Sequence, residues 1–172
     1  MDRVLQNPKM RRKRICTLVE ENPGYNYQDL LKSTGFANGI LSHHLKKLEK
    51  DGHVRIKRKN RMTWFFPPDS DPIQDEIIIH LRKETCRKIL VLLLSKEIAT
   101  FGEITQEVKK SPSTVSSTLK NLIENKVVRK IPDFKKKYSL YDFEATRNTL
   151  DRLQLTPTDS LKDRFADSFS YY

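Results

Sequence analysis

Shifted by 74 residues, the chain lands on itself. Ile15 falls on Ile89, Leu18 on Leu92, Tyr27 on Phe101 and Leu30 on Ile104. Leu41 falls on Val115, Ser42 on Ser116, Leu45 on Leu119, Lys46 on Lys120 and Leu48 on Leu122. Val54 and Arg55 fall on Val128 and Arg129, and no gap is needed. The apolar positions coincide best, so the duplicated feature is a core pattern. Two copies are too few for a stacked solenoid. A tandem pair of small domains satisfies the pattern, each about 60 to 70 residues long and only marginally able to fold alone.

Both copies read alike. Apolar spacing predicts a first helix over 8–21 and 85–96, then a short extended piece. A second helix follows over 28–34 and 102–108, and a third over 38–50 and 112–125. Ser111 is suited to cap the last of these, with Pro112 in its first turn. A hairpin closes each copy, turning near Lys59-Asn60 and across 132–135. The expected class is α+β, mainly helical with small hairpins. The expected domains are 1–68, a linker helix over 69–84, 85–141, and a helical tail over 142–172.

Helix, strand, helix, helix and hairpin, with a tight turn before the third helix, is the order of a helix-turn-helix with a wing. "TGFANGILSHHLKKLEKDGHV" and "VKKSPSTVSSTLKNLIENKVV" resemble the turn and recognition helix of winged helix-turn-helix regulators, the ArsR and MarR-like groups above all. Both stretches show the pattern of small residue, Ser/Thr, aliphatic, Ser, polar pair, Leu, two polar residues, Leu. The resemblance covers 8–66 and 82–141, and the tandem arrangement is similar to that of small archaeal regulators. It implies a transcription regulator that binds double-stranded DNA.

The residues support the same expectation. One stripe, Leu41, Leu45 and Leu48, anchors the third helix. Its other face carries Asn38, Gly39, Ser42, His43, Lys46 and Lys47. In the second copy that face carries Ser113, Thr114, Ser117, Lys120 and Asn121. A helix fits the major groove, and these side chains can reach base edges or phosphates. The wings add Arg58, Lys59, Asn60 and Arg61, and Lys135, Lys136 and Lys137. The first copy also has a cationic flank, "RRKR" at 11–14, so it is expected to be the stronger reader.

Charge agrees. The formal net charge is +11, held in two basic blocks over 1–66 and 79–141. An acidic joint over 67–78 separates them. Such an excess of cations favours a polyanionic partner. No apolar run is long enough for a bilayer, and 2–13 is mostly polar and charged, unlike a signal peptide. Cys16 and Cys86 are isolated and read as reduced. A cytoplasmic, nucleoid-associated location is expected, with no membrane partner.

Site chemistry is missing from the sequence. The two cysteines are not equivalent under the shift and lack a paired ligand. His43, His44, His53 and His80 show no ligand spacing, and His44 reads as a packing residue. No Gly-rich phosphate loop or nucleophile–base arrangement is present. No enzyme activity, metal, cofactor or small-molecule ligand is expected. Two rival functions stay open: a winged-helix protein-docking subunit of transcription or chromosome machinery, and a nonspecific chromatin-like DNA binder.

Three local expectations follow. Asp71-Pro72 should begin the joining helix, with Ile73, Ile77 and Leu81 on one face. One of Trp64, Phe65 and Phe66 should face outward. The tail carries two stripes, Phe143, Thr146, Leu150 and Leu153, then Leu161, Phe165 and Phe169. Either the chain's own body or a second copy must bury them. Two small domains offer limited surface, which favours a homodimer through 142–172.

Overall fold

The computed structural model describes residues 7–132 and 136–153. The chain divides into two compact units, Met1–Pro72 and Ile73–Tyr172. Among the described residues the fold is mainly helical, with two small antiparallel sheets.

In the first unit α1 (Pro8–Glu21) starts where the Asn7 side chain accepts from the Lys9 amide at 2.9 Å. A two-residue strand β1 (Tyr25–Asn26) is cut short by a cap. Asn26 Oδ1 accepts from the Gln28 and Asp29 amides, and Asp29 Oδ2 accepts from the Asn26 amide. This reciprocal box satisfies donors that the first turn of α2 (Tyr27–Thr34) leaves open. Gly35 ends α2 at φ 67°, the left-handed conformation that glycine adopts without a Cβ clash. Then come α3 (Asn38–Lys50), β2 (Arg55–Lys59) and β3 (Met62–Phe66), in sheet order β1-β3-β2. Leu41, Leu45 and Leu48 are buried with Ile15, Val19, Leu30, Val54 and Phe65.

All three aromatics of β3 are buried, against the expectation that one faces out. Phe65 enters the helical core. Phe66 points to the other face, where the Arg55 guanidinium lies 4.9 Å from its ring centre. Arg55 Nη2 in turn donates to Ser70 Oγ at 2.7 Å, so the segment after β3 helps roof that face.

The second unit contains α4 (Asp75–Leu81), α5 (Glu84–Lys96), β4 (Ile98–Thr100), α6 (Phe101–Val108), α7 (Pro112–Glu124), β5 (Val128–Ile131), β6 (Lys137–Leu140) and α8 (Phe143–Leu153). The box recurs on α6 as Thr100 and Glu103. The Thr100 amide, then Lys96 and the Thr100 hydroxyl, hold the Glu103 carboxyl down at about 2. Ser111 caps α7, with Pro112 at its first position. The sheet order β4-β6-β5 matches the first unit.

The joining segment departs from expectation. Pro72 opens a 3-10 turn (Pro72–Gln74), and α4 begins only at Asp75. Ile73 therefore falls off the apolar face and is 85% exposed, whereas Ile77 and Leu81 lie in the second unit's core. The helix breaks at Arg82 and Lys83 before α5.

Phe143, Leu150 and Leu153 pack against the core of their own unit, and Thr146 and Thr149 are buried. Their hydroxyls donate back to Asp142 O and Ala145 O. The first stripe therefore packs on its own unit, with Phe143, Leu150 and Leu153 left half-buried. The stripe of Leu161, Phe165 and Phe169 lies outside the described residues, as does Lys135.

The copies differ in one register. Phe65 pairs with Tyr25 and Ile56, and Tyr138 pairs with Ala99 and Lys130. Up to β5 the offset is 74, but β6 matches β3 at 73. The second hairpin is one residue shorter, and the loop absorbs the difference so that the buried face of the sheet is preserved.

Candidate nucleic-acid interface

Anchoring by Leu41, Leu45 and Leu48 turns the opposite face of α3 outward. Asn38, Gly39, His43, Lys46 and Lys47 are exposed there, and Ser42 is half-buried. The Tyr27 hydroxyl donates to Asn38 O at 2.9 Å and also touches Asn38 Oδ1. That contact pins the helix start and leaves the amide nitrogen as the group Asn38 presents. Lys47 also pairs loosely with Asp51, at 3.6 Å. His44, next to His43, is buried with no hydrogen-bond partner for Nδ1. Burial first, then the charges of His43, Arg11 and Arg12, lower its pKa and keep it neutral. Arg14 of α1 donates to Ser33 O at 3.2 Å.

The wing tip is a two-residue turn. Lys59 pairs with Met62, and Asn60 and Arg61 between them have φ of 50° and 63°. Positive φ at both central residues is the type I′ geometry, where Asn is common first and Gly second. Here the second residue is an arginine. Arg58 is engaged lower down: Nη1 and Nη2 donate to the two Glu49 carboxylate oxygens, each at 2.8 Å. The hydrogen bonds lower the Glu49 pKa and raise that of Arg58. This fork ties β2 to the last turn of α3. Sequence reading missed Glu49 and Tyr27, because neither lies on the outward stripe.

The second copy is arranged differently. Ser113, Thr114, Ser117, Lys120 and Asn121 are exposed, yet most are already engaged. Ser111 Oγ lies 3.0 Å from Ser113 Oγ and 2.8 Å from Thr114 Oγ1. Ser117 Oγ donates to Thr114 O at 2.9 Å. Lys120 is 4.0 Å from Glu124. Asn121 Oδ1 lies 2.8 Å from Nε2 of the buried His80 on α4, whose Nδ1 is 2.6 Å from Glu76 O. A carbonyl only accepts, so Nδ1 carries a proton. A neutral His80 then takes an N–H from the Asn121 amide, and a cationic one donates to its oxygen. Lys136 is exposed and Lys137 half-buried.

Cys16 is half-buried and Cys86 buried. Desolvation raises both thiols, Cys86 to about 11. Among the described residues no group of three His, Cys, Asp or Glu is placed to hold a metal ion. No described helix is long and apolar enough to cross a membrane.

Comparison with known proteins agrees with this geometry. A family model described as an N-terminal HTH domain matches residues 9–78. A second, described as bacterial regulatory protein, arsR family, matches residues 83–130. An uncharacterized HTH-type transcriptional regulator of Methanocaldococcus jannaschii is 29% identical over 111 residues. That match takes in 64% of this chain but only 28% of the relative's length. A conserved hypothetical protein from Chlorobium tepidum aligns over 86% of this chain and 99% of its own, at 17% identity and a TM-score of 0.28, too low to bear on the fold. The chain carries two helix-turn-helix domains in tandem, and it is similar to an archaeal regulator.

Proposed function

We propose that the chain is a sequence-specific, double-stranded-DNA-binding transcription regulator. In this reading α3 enters the major groove and the wing tip of the first unit lies on flanking DNA. The observation that carries it is a pair of residues chosen against local preference. Gly39 is the second residue of α3, an element in which alanine is preferred to glycine, yet nothing lies within 4 Å of the position a Cβ would take. Arg61 holds a left-handed φ in a turn that favours glycine. Packing explains neither. A surface approached closely by a polyanion explains both: no side chain where the helix meets base edges, and a cation where the wing meets phosphate.

Gly39→Ala and Arg61→Gly should therefore each raise the stability of the free first unit, by about 0.5–1 kcal/mol, while weakening DNA binding. Thermal melts and DNA titrations check both halves. Unchanged affinity in both variants would remove the main support for this reading.

The wing cations should act on the backbone. Removing the charge of Lys59 or of Arg61 should lower the slope of log affinity against log salt by about one each, with sequence preference unchanged. Arg58, occupied by Glu49, should change that slope less. A slope unchanged in all three variants would take the wing off the DNA.

Selection of bound sequences from a random DNA library tests specificity as a whole. Enrichment of one motif supports the regulator, and uniform retention favours a nonspecific coater. The second copy has its own alternative. With its hydroxyls paired locally and Asn121 held by His80, α7 suits backbone contact or protein docking better than base reading. A homodimer joined through 142–172 is part of this reading. Light scattering on the full chain tests it, and a monomer rules it out. DNA binding would put the protein on the nucleoid.

A further inference from the structure

The outer face of the second sheet carries a cleft of about 370 Å³ that DNA reading does not use. Glu97, Ile98, Arg129, Ile131, Ser139 and Phe143 contribute to its lining. Strand register explains its shape. Ile98, Ser139 and Arg129 stand in one row across β4-β6-β5. The middle of the row holds a small hydroxyl, flanked by a branched apolar side chain and a guanidinium.

The first copy shows what such a row accommodates. There Phe66 stands where Ser139 does, paired with Arg55 as Ser139 is with Arg129. The Phe66 ring is fully buried beneath the Arg55 guanidinium. In the second copy the arginine remains and the ring is gone. Arg129 Nε donates to Ser139 Oγ at 2.9 Å, which holds the guanidinium at the edge of the cleft. Its two Nη groups have no further partner among the described residues.

We propose that this cleft binds a small aromatic carboxylate. The ring takes the place that Phe66 occupies in the first copy, and the carboxylate pairs with the Nη edge of Arg129. Planar carboxylates suit a guanidinium fork, and the volume falls within the range of small-molecule sites, about 300–1,000 Å³. Glu97 on the same rim disfavours a dianion and can take an ammonium group. The occupant would lie against β5 and β6, the strands that carry the second wing, and against the start of α8. It would thus act as an effector, a consequence that rests on the regulator reading. Binding itself does not rest on it.

The test uses the full chain without DNA, titrated with phenylacetate and followed by calorimetry and amide NMR. Saturable binding is expected, with shifts at Ile98, Ser139 and Phe143. Acetate and benzyl alcohol, which each lack one half of the ligand, should bind about tenfold more weakly or not at all. Arg129→Gln should cost about tenfold. Ser139→Phe restores the ring of the first copy and should abolish binding while leaving the melting temperature and DNA affinity unchanged. L-Phenylalanine binding more tightly than phenylacetate would support the site and narrow its ligand to an amino acid held by Glu97. No saturable binding of phenylacetate or phenylalanine, equal binding of acetate, or wild-type binding by Ser139→Phe would each overturn the proposal. Because no DNA is present, failure here leaves the regulator reading standing, and failure to bind DNA leaves this result standing.

Discussion

A chain ended at Tyr141 is expected to lose the cooperative unfolding of its second unit, while one ended at Leu153 keeps it. The difference is α8. It covers the core with Phe143, Leu150 and Leu153 and buries Thr146 and Thr149. Burying one such apolar side chain contributes about 1.5–3 kcal/mol when complete. Three partly buried ones still amount to several kcal/mol, against a total stability of about 5–15 kcal/mol for a domain. Stripped of α8, the core side of α4 and α5 faces water. Circular dichroism melts of the two truncated chains check this. Identical melts would mean that α8 is an ornament on a finished core. The first unit has its own core, so its DNA binding should survive in both.

The second large effect concerns which copy reads DNA. His43→Ala with Lys46→Ala should weaken binding to a selected sequence by about 10- to 100-fold, since a good base contact is worth about 1–3 kcal/mol. Ser117→Ala with Lys120→Ala should change it by less than about threefold, since exposed groups already paired locally have little left to give. The physical basis is the contrast between the faces. On α3 His43 and Lys46 are exposed. On α7 the hydroxyls bond to one another or to the Thr114 carbonyl, and Lys120 leans toward Glu124. Filter binding or fluorescence anisotropy on both double variants decides it, and the reverse ranking would transfer the reading role to the second unit.

Much of this molecule was legible in its sequence because the repeat reports the core. Leu41, Leu45 and Leu48 match Val115, Leu119 and Leu122, and both sets are buried. Local signals also sufficed for Ser111 and Pro112 at the start of α7. Failures came where one residue answers to two neighbours. Ile73 fits the helical spacing of Ile77 and Leu81, but the proline before it sets a 3-10 turn, and the face is lost. Alternation along Trp64, Phe65 and Phe66 implies one covered side, whereas both sides of β3 are covered.

Side-chain pairs distant in sequence were not visible at all. Glu49 and Arg58 are nine residues apart on a helix and a strand, and only the fold shows that they meet. Asn121 and His80 are 41 apart, and a periodicity argument assigns Asn121 to the outward face without seeing its partner. The cleft beside Arg129 needed the strand register, because the 74-residue offset aligns Ser139 with Phe65 and hides its true counterpart, Phe66.

The shared length and core positions of α3 and α7 make the two helices comparable cassettes. Each is 13 residues long, each begins 12 residues after the cap of the preceding helix, and each buries the same three positions. A graft of the outward residues keeps those three core contacts but has to carry along the bonds of Ser111 to Ser113 and Thr114, of Asn121 to His80 and of Asn38 to Tyr27. Selection acting on such a chain can rewrite what one head recognises while the other holds its place, and an engineer can do the same.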